Sequence, residues 1–151
     1  MPTRYKGTTE EVLALDTMIK LTRSLNSVHA RLTPPLQKDF GITESQFGVM
    51  EALLHLGPMS LGQLCQKILR SGSNLTTIVD NLERDGLVTR SRDDSDRRVQ
   101  IADLTDKGRE LISRAFPSHV SRVTALMGEL TAEEQGELGR ICRKLGAAAN
   151  E

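Results

Sequence analysis

"SNLTTIVDNLERDGLVTRSRDDSDRRVQIADLT", residues 73–105, changes its apolar period halfway along. Up to Arg84 the pattern is helical: Leu75, Ile78, Val79 and Leu82 stand at i, i+3, i+4 and i+7, which puts them on one side of a helix. After Asp85-Gly86 the period becomes two. Val88, Arg90 and Arg92 fall on one side of a strand; in the next run Val99 and Ile101 stand opposite Arg98, Gln100 and Ala102. The bridge "DDSD", 93–96, is turn chemistry. The far side of the helix carries Ser73, Asn74, Thr76, Thr77, Asp80, Asn81 and Arg84. It has no lysine and little of the Glu/Lys pairing of a solvated helix, and threonine is a poor helix former. A plain polar exterior is the bland alternative. A hairpin that only packs, however, has no use for Arg97 and Arg98 just past its tip.

Upstream, two segments carry a helix-start signature, and a third lies far downstream. "TESQ" (43–46), "SLGQ" (60–63) and "TAEE" (131–134) fit Ser/Thr-x-x-Glu/Gln, in which a hydroxyl caps a free amide and the fourth residue reaches back. Phe47, Met50, Leu53 and Leu54 follow the first at helical spacing. Glycine and proline in "HLGPM" end that helix. A short helix from Ser60 to about Leu69 has Leu61, Leu64 and Ile68 on one face, and "RSGS" makes a turn. The order is helix, short helix, turn, polar-faced helix, hairpin. That is a winged helix-turn-helix in a mainly α chain with a small β-hairpin wing, an α+β arrangement.

Long helices flank this lobe. From about Glu10 to Leu32, Ala14, Met18, Leu21, Leu25, Val28 and Leu32 form a two-per-heptad seam, widened by Leu15 and Ile19. Such a helix can serve its own core and a partner chain. "TPP" at 33–35 is expected to end it. Thr105 is the expected N-cap of a helix carrying Leu111, Ile112, Ala115 and Phe116. Pro117 is expected to kink or interrupt that helix before Val120, Val123, Leu126 and Met127 resume the stripe. A last helix spans about Thr131 to Leu145, and "GAAANE" frays. The expectation is a single domain over 1–151, with the winged lobe at about 36–104 flanked by long helices at about 9–33 and 105–148.

Composition narrows the function. Acids and bases balance at 20 each, so any basic surface must be local. There is no Gly-x-Gly-x-x-Gly, Gly-x-Ser-x-Gly or His-Glu-x-x-His, so an enzyme is not expected. His29, His55 and His119 are isolated, without a close-spaced ligand pair, and neither a metal nor a cofactor is expected. The amino-terminal "MPTRYKGTTEEV" lacks an apolar signal core, and no run approaches a membrane span, which reads as a soluble, cytoplasmic protein with no membrane partner. Cys65 and Cys142 form no Cys-x-x-Cys pair and read as free, packed thiols.

The second helix of a helix-turn-helix lies in the DNA major groove. Ser, Thr and Asn suit phosphate oxygens and base edges, and a threonine methyl packs on thymine. The wing lies beside the neighbouring minor groove, whose narrow walls concentrate negative potential that guanidinium exploits. Asp96 is placed to hold an arginine by a paired carboxylate–guanidinium contact. The candidate contacts to double-stranded DNA are Ser71, Ser73, Asn74, Thr76, Thr77, Arg84, Arg90, Arg97 and Arg98, with Asp96 in support.

With these residues in view, the chain resembles the MarR family of bacterial transcription regulators. "DRR" at 96–98 supplies the family's Asp-x-Arg wing tip and "LTDKG" at 104–108 its next helix start; the flanking helices match by architecture. The resemblance implies a homodimer built from the first and last two helices, and so assigns dimerisation to the segments at about 9–33 and 105–148. It implies a pseudo-palindromic operator with half-sites about one helical turn apart, and usually repression. Arg98 then matches the minor-groove arginine, Asp96 its supporting acid, and Arg97 adds a charge suited to phosphate. It further implies relief by a small apolar or phenolic effector; candidate lining residues are His29, Met50, His55 and Phe116. Two alternatives remain open: a thiol-based redox regulator using Cys65 or Cys142, and a protein-interaction winged helix without DNA binding.

Overall fold

Capping sets most of the helix starts. The computed structural model describes residues 3–68 and 72–149, apart from the side chains of 72–74. Its elements are α1 (Thr9–Phe40), α2 (Glu44–Leu56), β1 (Met59–Ser60), α3 (Leu61–Ile68), α4 (Gly72–Arg84), β2 (Val88–Arg92), β3 (Gln100–Leu104), α5 (Asp106–Met127) and α6 (Ala132–Ala148). The expected boxes form before α2, α3 and α6: Thr43 with Gln46, Ser60 with Gln63, and Thr131 with Glu134. A further one, Thr8 with Glu11, opens α1. Each cap contributes about 1 kcal/mol and, more usefully here, fixes where a turn ends and a helix begins.

The helix breaks expected at two proline sites do not occur. α1 does not stop at "TPP" but runs through Pro34 and Pro35 to Phe40. Proline's fixed φ is itself helical; what it forfeits is one amide donor, here to the carbonyls of Ala30 and Arg31. Ala30, Arg31 and Pro34 are exposed, so water can serve those carbonyls. The continuation is held by tertiary contacts. Leu36 is fully buried in the core, the Thr33 hydroxyl donates to Glu44 at 3.1 Å, and Asp39 pairs with Arg122 of α5 at 2.8 Å. Packing overrides local preference. The actual stop is Gly41, at φ +69, whose amide donates to the carbonyls of Leu36 and Gln37. Pro117 likewise interrupts nothing: α5 is continuous, and Pro117 and Ser113, whose carbonyl loses its donor, are both exposed. α6 also runs past Leu145 to Ala148.

The sheet has three strands, not two, in the order β1-β3-β2, all antiparallel. Val88 pairs with Leu104, Arg90 with Ala102 and Arg92 with Gln100; Met59 also pairs with Ala102. Ala102 and Leu104 are therefore the buried face of β3, and Ile101 lies on the opposite, outer face. Parity is set at the far end of the hairpin, where Val88 and Leu104 both enter the core.

The core joins Leu36, Met50 and Leu53 to Leu64, Val79, Leu82, Val88, Ala102, Ile112 and Ala115. α5 thus belongs to the winged lobe through its first half. Elsewhere α1 and α6 leave large apolar side chains uncovered: Leu13, Met18 and Leu25 on one, Leu138, Ile141 and Leu145 on the other. Among the described residues no helix is long and apolar enough to cross a membrane.

Candidate nucleic-acid interface

α4 buries Leu75, Val79 and Leu82 against the core and presents Thr76, Thr77, Asp80 and Arg84 to solvent. Ser71, and the side chains of Ser73 and Asn74, lie outside the described residues. Arg84 is open apart from a loose 3.6 Å approach to Asp85. α4 packs against α3 on one side and against β2 on the other, where Arg90 of β2 reaches Asp80 and Glu83 of α4.

The tip, residues 93–99, is organised by its own polar groups. Asp93 accepts from the Ser95 hydroxyl and, at 3.3 Å, from the Asp96 amide. The Asp93 amide donates to Val99 and the Val99 amide to Asp96, both at 2.9 Å. Arg92 donates to the Arg97 carbonyl at 3.0 Å. Arg98 meets Asp96 three times: backbone amide to Oδ1 at 3.0 Å, Nε to Oδ1 at 3.2 Å and Nη2 to Oδ2 at 3.2 Å. The two guanidinium contacts are a fork on a carboxylate, the geometry that fixes direction as well as distance. They hold the Asp96 carboxyl below its ordinary range. The Arg98 side chain nevertheless remains 92% exposed. Its position is set while most of its surface stays available.

Arg90 differs. Its guanidinium reaches back to α4, 2.6 Å from Asp80 and 3.1 Å from Glu83, and its side chain is 21% exposed. Sequence reasoning placed it among the DNA contacts; the structure engages it within the protein. The missed signal is the i, i+3 pair of acids on α4, whose shared face becomes visible only with the register of β2.

The join between α4 and α5 was also missed. Thr105 donates its hydroxyl to the Gly86 carbonyl at 2.6 Å and its amide to the Leu87 carbonyl at 3.1 Å. Lys107 donates to the Asp85 carbonyl at 2.9 Å. Gly108 lies so close to Leu87 that a β-carbon there would stand 1.9 Å from the Leu87 carbonyl oxygen.

Two of the four effector candidates, His55 and Phe116, meet. Met50 is wholly buried, His29 pairs with Glu44 at 2.8 Å, and His55 meets Phe116 edge-on at 4.6 Å. A cavity of about 280 Å³ lies between α2, α3 and α5, walled by Phe47, Glu51, Lys67, Ile68 and His119 among others, and by none of those four. His119 packs on Phe47 at 4.5 Å, and its Nδ1 is buried with no hydrogen-bond partner among the described residues. Burial is the largest influence on the imidazole and lowers its pKa. Cys65 is half-buried against the core, whereas Cys142, expected to pack similarly, is exposed on α6. Among the described residues no three His, Cys, Asp or Glu side chains group as metal ligands.

Comparison with known proteins agrees with this geometry. The MarR family model matches residues 42–99, the span from the start of α2 to the wing. The HTH-type transcriptional regulator MhqR of Bacillus subtilis is 32% identical over 95% of this chain and 97% of its own. Sco3205 of Streptomyces coelicolor, a MarR family transcriptional regulator solved in complex with DNA, superposes with a TM-score of 0.83 at 31% identity, covering 95% of this chain and 94% of that one. NadR, solved in complex with 4-hydroxyphenylacetate, shares the fold at a TM-score of 0.70 and 23% identity, over 96% of this chain and 97% of its own. Both the wing with its held arginine and the full-length likeness have one explanation: this chain belongs to the MarR family of DNA-binding transcription regulators.

Proposed function

We propose that the chain acts as a homodimeric repressor of a pseudo-palindromic operator, relieved by a small apolar or phenolic effector. The observation that carries the DNA part is Arg98, directed by Asp96 yet open to solvent, beside a helix that exposes Thr76, Thr77 and Arg84. In this reading α4 enters the major groove, Arg98 the flanking minor groove, and Arg97 meets phosphate. Ser71, Ser73 and Asn74 complete the contact set on the sequence reading, which for Ser73 and Asn74 the family resemblance shares. The uncovered leucines and isoleucine of α1 and α6 support a dimer, because apolar side chains of that size are covered in a stable fold. Dimerisation by residues 9–33 and 105–148 would place two lobes, 36–104, on one face of a duplex. The 4-hydroxyphenylacetate complex of NadR supports an aromatic effector. An effector acts only by preferring a conformation with mis-spaced recognition helices.

The test is selection from random duplex DNA by the purified protein at near-physiological salt, followed by sequencing of the bound pool. The expected result is a palindromic motif whose half-sites lie about one helical turn apart. A folded dimer that enriches nothing would refute this reading in favour of a protein-binding winged helix. An enriched motif without symmetry would refute the dimeric operator.

A further inference from the structure

Asp80 and Glu83 sit three residues apart on α4, and so on one flank of the helix. Two carboxylates beside a groove-binding face are costly on electrostatic grounds, since each repels phosphate. Neither is left facing solvent alone. Arg90 of β2 closes on both, with Nη2 at 2.6 Å from Asp80 Oδ1 and 3.1 Å from Glu83 Oε1, and Nε at 3.3 Å from Glu83 Oε2. Of the wing arginines Arg90 is half-buried, while Arg98 is almost fully exposed. A guanidinium presents a rigid fork of donors, and here that fork is spent on the two acids. The Arg90 contact holds the Glu83 carboxyl below its ordinary range, chiefly through the side-chain hydrogen bond.

The geometry points to Arg90 as a positioning residue: it locks the wing to the recognition helix, so that α4 and Arg98 meet a duplex as one rigid body, and it does not itself touch DNA. The inference rests on the DNA-binding reading above. It makes a prediction opposite in sign to simple electrostatics. Removing negative charge beside DNA should tighten binding. If Asp80 and Glu83 work through Arg90, removing it should weaken binding.

The experiment titrates the selected operator with wild type, Asp80→Asn/Glu83→Gln and Arg90→Gln across a range of salt, after sedimentation confirms that all three share one oligomeric state. Hydrogen exchange of the β2 and β3 amides is followed in the free proteins. Both variants are expected to bind roughly tenfold more weakly, the scale of a lost coupled pair. The slope of log affinity against log salt should match wild type, because no phosphate contact is lost, and the strand amides should exchange several-fold faster. Unchanged or tighter binding by Asp80→Asn/Glu83→Gln would overturn the inference. So would a slope for Arg90→Gln that falls by about one, the mark of a lost phosphate contact. If wild type binds no DNA, the regulator reading fails instead. The exchange comparison still decides the lock, since wild-type exchange in both variants would exclude it.

Discussion

Gly108→Ala tests the packing argument most directly, because two principles oppose each other there. Gly108 is the third residue after the N-cap of α5 and is buried. In a helix, glycine to alanine gains about 1 kcal/mol from propensity. Here the added β-carbon would lie 1.9 Å from the Leu87 carbonyl oxygen and 2.9 Å from its carbon. These are backbone atoms, which no rotamer change can move. Ordinary contact requires α5 to retreat by about 1.5 Å. That retreat stretches the bonds from Thr105 to Gly86 and Leu87 and from Lys107 to Asp85. Overpacking costs roughly 1–3 kcal/mol, and one or two weakened hydrogen bonds add about 1 kcal/mol each. After subtracting the propensity gain, the net is a loss of about 1–4 kcal/mol, or roughly 3–12 °C in Tm at about 3 °C per kcal/mol for a chain of this size. Thermal melting at one fixed protein concentration measures it, since a dimer's stability depends on concentration. Gly62→Ala is the control: its nearest neighbour would be 3.9 Å away, so its Tm should hold or rise. A Tm for Gly108→Ala equal to or above wild type would refute the close-approach argument.

Three other perturbations have defined outcomes. Arg98→Ala should weaken operator binding by about tenfold or more, on the scale of one to three kcal/mol per specific contact, and leave the oligomeric state unchanged; equal affinity would remove the wing from recognition. Leu25→Asp, at a side chain 50% exposed in the single chain, should give a folded monomer by sedimentation, and a persistent dimer would mean that the α1 seam does something else. His119 supplies a pH dependence. Burial lowers its pKa, Arg122 adds to the lowering, and Glu44 and Glu51 oppose it. The unfolded chain therefore takes up the proton first as pH falls, so stability declines below about pH 6.5 and levels off below the folded pKa. His119→Phe should flatten that part of the Tm–pH curve; an unaltered slope would show that His119 is not the group responsible.

Local chemistry was the legible part of this molecule. Thr43, Ser60 and Thr131 announce their helices because a capping box needs only four consecutive residues. The Asp96–Arg98 fork was visible for the same reason: both groups lie within three positions on one turn. What failed were readings whose outcome depends on distant partners. Pro34 and Pro35 look like a stop, yet Leu36, Thr33 and Asp39 are held by contacts with the core, α2 and α5. β1 is two residues long, too short for a period, and exists because β3 offers it an edge. Which face of β3 is buried was not legible in the alternation: Val99 and Ile101 are the more apolar pair, while parity is set by Val88 and Leu104. Arg90 looked like Arg98 because sequence records charge but not direction. His119 and Gly108 carry no pattern at all: one owes its role to Phe47, the other to Leu87.

The join between α4 and α5 carries a mechanical consequence. Asp85, Gly86 and Leu87, which end the recognition helix, each offer a carbonyl to Thr105 or Lys107 at the head of α5, and Gly108 removes the side chain that would otherwise space the two apart. The recognition helix is thereby a fixed arm on a 22-residue shaft. That shaft is anchored in the lobe by Ile112 and Ala115 and tied to α1 by Arg122. A rotation of the shaft would therefore carry the arm with it. In the proposed repressor, an event at the far end of α5 that turned the shaft would swing the arm out of register with a duplex.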